Sequence, residues 1–130
     1  MYRLLEPGPV VLLATARKDK ANVMATTAAL TTAVVGCGNT SGRSLDKFAA
    51  FGLTTRKASR VAAPLIHECY ASLECRVVDT RLVARYNLFV LQVLRAWHDP
   101  TVKQPRTIHH RGLGTFMIAG KELHLASKMP

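Results

Sequence analysis

A single, mainly β domain with one or two short helices is the fold class this sequence predicts, and three stretches carry that reading. Between Tyr70 and Val77, the apolar Ala71, Leu73, Cys75 and Val77 alternate with Ser72, Glu74 and Arg76. That is the period-two pattern of a strand with one face buried. Pro9 to Ala16 is a β-prone run, the charged Arg17 to Lys20 makes a turn, and a second run begins at Asn22-Val23-Met24, so the pair reads as a hairpin. Near the C-terminal end, Gly112-Leu113-Gly114 marks a further turn ahead of a short strand from Thr115 to Ala119. A chain of 130 residues holds one hydrophobic core rather than two independent ones.

The helical content is smaller. Ser44 to Phe51 (SLDKFAAF) sets Leu45, Phe48 and either Ala49 or Phe51 on one face, with Ser44 as N-cap and Gly52 as the stop. The run LVARYNLFVLQVLRAWHDP is ambiguous, because Leu82, Tyr86, Phe89, Val90, Val93 and Trp97 also fit helical spacing. Periodicity alone slightly favours a helix there.

Composition excludes some classes of function. Apolar residues make up 48% and charged residues 20%, which is globular rather than disordered. The net charge of +10 invites a polyanionic partner. The basic residues are scattered, however, and no run approaches the roughly five like charges of an interaction tail. With no accompanying motif, a dedicated nucleic-acid module is not expected, and an anionic small ligand fits the charge equally well. Cys37, Cys69 and Cys75 show neither CxxC nor zinc-finger spacing, so no metal site or disulfide framework is assigned and a reducing, cytoplasmic setting is expected. Ala14-Thr15-Ala16 imitates a signal-peptidase site, but Glu6, Pro7 and Pro9 interrupt the apolar run before it. No stretch approaches the roughly 20 apolar residues of a spanning helix.

The chemistry-bearing residues are few. Gly36-Cys37-Gly38 after Ala33-Val34-Val35 imitates the turn of a dinucleotide fold, but the third glycine falls at position 42 rather than 41. The acid expected about 20 residues further on is also missing. Asn39, Thr40, Ser41 and Arg43, where a turn enters a helix, could still offer amides and a guanidinium to a phosphate or a polar ring edge. His67-Glu68-Cys69 cannot aim all three side chains at one ion, and His98-Asp99-Pro100 reads as a turn. His109 and His110 are adjacent, so on a strand at most one of them faces any given cleft. There is no GxSxG elbow and no base evident beside Cys37, so no catalytic residue is assigned. That absence suits reactions whose hard step belongs to a bound cofactor.

Several segments in order, TARKDKANVMATT, VVGCGNTSGRSLDKFAAFGLT, APLIHECYASLECRVVDT, RYNLFVLQVLRAWHDP and RTIHHRGLGTFMIAG, resemble the flavoredoxin-like branch of the flavin reductase family. The SGRxxDKF and HHRG stretches are the more specific of these. The resemblance implies an FMN-binding split β-barrel and a homodimer with FMN near the subunit contact. It also implies electron transfer between flavin and NADH, NADPH or a redox protein partner. By the same resemblance, Leu88 to Trp97 becomes a barrel strand, against the periodicity.

Relatives usually carry a Pro-Pro turn, another strand, a phosphate-contacting loop and a helix between the segments resembling Asn22–Thr27 and Val34–Gly36. Here Ala28 to Ala33 joins the two flanks directly, so the resemblance implies an incomplete barrel with an internal deletion near residues 28–33. Residues that still match the cofactor-binding positions are Asn22, Met24, Thr26 and Thr27 on the strand, with Ser41, Gly42 and Arg43 in the loop. Ala28 stands where relatives often have tryptophan. His109, His110 and Arg111 match the region that admits nicotinamide or partner. Two readings follow. One is an FMN-dependent oxidoreductase; the other is a non-enzymatic shortened paralogue acting as a dimeric structural or binding protein.

Overall fold

The computed structural model describes residues 12–17, 20–24 and 31–121. In chain order the elements are β1 (Leu13–Arg17), β2 (Lys20–Met24), α1 (Thr31–Asn39), α2 (Lys47–Ala50), β3 (Thr55–Arg56), β4 (Leu65–Ile66), β5 (Ala71–Asp79), α3 (Val83–Tyr86), β6 (Val90–His98), β7 (Ile108–His110) and β8 (Phe116–Ile118). The strands pair as neighbours in sequence, β1 with β2, β3 with β4, β5 with β6 and β7 with β8, giving four two-stranded sheets among the described residues. All four pairings are antiparallel. The mainly β expectation holds, and no sheet closes into a barrel among the described residues. The expected deletion lies mostly outside them, and its last positions, 31–33, open α1.

The core forms where β2 meets the helices. Val23, Ala33, Cys37, Leu53 and Ile66 are buried together, with Leu12, Phe48, Phe51 and Cys69 packed against them. Thus the stretch read as a Gly-rich loop at Gly36-Cys37-Gly38 is the second half of α1 instead. Glycine inside a helix costs about 1 kcal/mol against alanine, which is why local propensity favours a loop. Packing overrides that preference. A Cβ on Gly36 would stand 2.3 Å from Phe51 Cε1, so the missing side chain is what lets α1 lie on the aromatic ring.

Helix α2 is shorter than the sequence suggests, and Asp46 rather than Ser44 caps it. The Asp46 carboxylate accepts from the Phe48 and Ala49 amides at 3.0 and 3.3 Å. Gly52 stops it as expected, at φ +63°, a left-handed conformation that suits glycine. Leu53 N–H then donates back to Phe48 O at 2.8 Å.

The segment with two possible periods resolves mostly as a strand. Only Val83–Tyr86 is helical, and Val90–His98 pairs with β5 through two register shifts. The strand at 71–79 is where it was expected, but its faces are reversed. Glu74 is 1% exposed, while Leu73 and Val77 are 60% and 49% exposed. Leu91 and Val93 on β6 are exposed as well.

Candidate functional site

Of the strand and loop residues singled out in the sequence, Asn22 and Gly42 meet at one corner. Asn22 pairs across the first hairpin with Thr15 and is next to the fully buried Val23. The turn that follows α1 lies directly on it, since a Cβ on Gly42 would stand 2.2 Å from Asn22 Oδ1. Only glycine lets this turn approach the strand so closely. Asn22 Oδ1 is hidden from solvent and has no hydrogen-bond partner among the described residues. A buried acceptor left without a donor costs about 1–3 kcal/mol, so this atom marks a place where a donor would be welcome.

The turn itself is built by serines. Arg43 N–H donates to Ser41 Oγ at 3.3 Å, and Ser44 donates to Ser41 O through both its amide and its hydroxyl. Ser41, Gly42 and Arg43 are exposed. No carboxylate lies within ion-pair range of Arg43 among the described residues, which leaves its guanidinium available to an anion. The side chain of Met24 and the residues Thr26 and Thr27 lie outside the described part of the structure.

One contributor was not legible as such. Lys47 is 4% exposed, and its Nζ donates to Cys37 O at 2.7 Å, tying α2 to α1 behind the turn. A lysine in an amphipathic octapeptide reads as solvated, and only its place within SGRxxDKF hints otherwise. Burial pushes the Cys37 thiol up, with the Lys47 ammonium partly opposing, so Cys37 remains a protonated core residue rather than a nucleophile.

His109, His110 and Arg111 form a separate group on the last hairpin. His109 is half-buried with Nε2 3.0 Å from Thr107 Oγ1, while the exposed His110 leans its ring on Phe116 at 5.1 Å between centroids. Arg111 N–H donates to Thr115 O, closing the Gly112–Gly114 turn. No hydrogen bond or ring contact among the described residues joins His110 or Arg111 to the Asn22–Arg43 corner. No three His, Cys, Asp or Glu side chains gather to hold a metal ion among the described residues either.

The sequence pattern of the flavin reductase like domain matches residues 29–116, well over half of the chain, and the chain belongs to that family. Its relatives include a protein of Escherichia coli K12, YddH, 32% identical over 98 residues and covering 66% of this chain and 52% of that protein. A protein of Archaeoglobus fulgidus is 36% identical over 66 residues, 51% of this chain and 37% of its own. This chain therefore spans about half the length or less of these curated relatives. Among solved structures, the FMN-binding domain of a flavin reductases-like enzyme from Shewanella baltica superposes with a TM-score of 0.82 at 20% identity, over 96% of this chain and 93% of the other. Flavoredoxin of Desulfovibrio vulgaris superposes at 0.74 and 18% identity, over 94% and 92%. At such identities these likenesses establish the fold, an open version of the FMN-binding split barrel. No helix among the described residues is long and apolar enough to cross a membrane.

Proposed function

We propose that this chain is a single flavin reductase-like domain, shortened in its central strands, that binds FMN at the Asn22–Arg43 corner and passes electrons through it. The observation that carries the reading is the hidden Asn22 Oδ1 against Gly42, without a donor among the described residues. The edge of an isoalloxazine ring offers an imide N–H as donor and gathers negative charge on reduction. The residues at the corner fit such a group: Asn22 accepts from the imide, the turn amides and hydroxyls of Ser41–Arg43 donate to the ring or ribityl oxygens, and the Arg43 guanidinium stabilises added charge. FMN, when bound, supplies the hydride and one-electron chemistry that no side chain here can perform.

The electron donor in this reading is NADH or NADPH, or a redox protein, with His109, His110 and Arg111 on the approach side. The activity is that of an NAD(P)H:flavin oxidoreductase in the cytoplasm, and the working unit is a homodimer. Exposed apolar side chains along β5 and β6 support the dimer, because an isolated chain rarely leaves such a ribbon wet. The second reading, a non-enzymatic dimeric remnant of the fold, draws on the direct join at Ala28–Ala33, which omits the family's phosphate loop, and on the open sheets.

Titrating FMN into the purified protein while following flavin fluorescence, then assaying NADH oxidation with and without added FMN, separates the two. Saturable quenching at micromolar FMN with flavin-dependent oxidation is the expected result. Soluble dimers that ignore FMN would leave only the second reading.

A further inference from the structure

Where Ala71 of β5 pairs with His98 of β6, the ends of the long ribbon and the β3–β4 hairpin enclose a cavity of about 240 Å³. Arg56, His67, Ser72, Trp97, His98 and Asp99 are among its walls, and none of the residues of the Asn22–Arg43 corner is. The sequence gives no hint of it, because His67 and His98 are 31 positions apart, one after β4 and the other at the end of β6.

The wall around Trp97 is held rigidly. Trp97 Nε1–H donates to Glu74 Oε1 at 2.7 Å. Glu74 in turn accepts from the amides of Ser59, Arg60 and Val61 and from the Ser59 hydroxyl. The indole therefore cannot swing without breaking a buried network. The Arg56 guanidinium lies 5.5 Å from the indole centroid, a cation–π distance, and Arg95 lies at 4.0 Å. The cavity walls carry one guanidinium, Arg56, and one carboxylate, Asp99. Asp99, the carboxylate among its walls, is engaged by the Thr101 amide and hydroxyl at 2.9 and 2.7 Å. No carboxylate among the described residues lies in ion-pair range of Arg56. The walls thus offer a guanidinium without an ion-pair partner among the described residues, a carboxylate with one oxygen held by Thr101, imidazole and hydroxyl groups, and flat ring surfaces.

We propose that this cavity is a second small-ligand site, one that takes a compact aromatic carboxylate with its anionic end on Arg56 and its ring against Trp97. Size restricts the ligand: drug-sized pockets start at about 300 Å³, so a flavin or a dinucleotide is too large and a single ring with one anionic group fits. The site is independent of flavin binding, and its test holds whether or not FMN binds.

The chain has one tryptophan, so its fluorescence reports the cavity directly. Benzoate should change it saturably, with benzamide, the neutral isostere, binding about tenfold more weakly or worse, since the charge-assisted contact is lost. Arg56→Met should weaken benzoate to a similar extent, whereas Arg81→Met, on the far side of the ribbon's turn, should leave it unchanged. Circular dichroism of each variant confirms that it folds. Absence of a saturable change with benzoate, equal binding of benzamide, or unaltered binding by folded Arg56→Met would each overturn the proposal.

Discussion

The corner where β2, α1 and α2 meet and the ribbon of β5 and β6 solve the problem of a short chain in opposite ways. At the corner, glycines let backbones approach closely, and the buried side chains are Val23, Ala33, Cys37, Leu53 and Ile66. Along the ribbon, the group taken inside is a carboxylate, while Leu73, Val77, Leu91 and Val93 face outward. The corner's apolar side chains are buried by the described residues themselves; many of the ribbon's are not. What differs is not hydrophobicity, which both have, but whether the chain itself supplies the covering layer.

Breaking the corner should have the largest effect. Gly36→Val would drive the Phe51 ring from the core, costing about 3 kcal/mol, in the range of losing a buried aromatic contact, and thermal unfolding should show it as a large drop in Tm. Next comes the ribbon. For the proposed homodimer, Val93→Lys should leave the secondary structure unchanged and give a monomer on gel filtration; an unaltered elution volume would contradict pairing through the ribbon.

Glu74 sharpens the comparison at the ribbon's own buried point. Burial pushes its carboxyl up, but the hydrogen bonds from Trp97, Arg60 and Ser59 outweigh that and bring it from the ordinary 4.5 down to about 2. A pKa lowered on folding contributes stability that is complete above the unfolded value and lost as pH falls through the folded one. Glu74→Gln should therefore lower Tm at neutral pH, and the gap from the unaltered protein should narrow between pH 4.5 and about 2. A pH-independent gap would show that the carboxylate's charge is not what the loop amides read. The smallest expected effect is at the α2 cap, where Asp46→Ala should cost about 1 kcal/mol in denaturant unfolding.

Much of the fold is legible in the sequence where a local pattern and its burial agree. The first hairpin, the turn at Gly112–Gly114 with the strand after it, the stop at Gly52 and the strand at 71–79 all follow from turn chemistry or alternation. The rest depends on contacts between distant segments. α1 hides behind two glycines because its stability comes from Phe51, fifteen positions on. Alternation located β5 but gave the wrong inside face, since a period of two fixes which residues share a side and not which side is covered. The meeting of Asn22 with Gly42 was implied only by resemblance, and the burial of Lys47 had no sequence signal beyond its motif.

The account rests on the corner being a flavin site, and FMN titration of Asn22→Ala beside the unaltered protein tests it most directly. Removing the hidden acceptor should weaken FMN about tenfold, the loss of one good hydrogen bond, with the gel-filtration profile and the circular dichroism spectrum unchanged. Equal quenching by both proteins would contradict it.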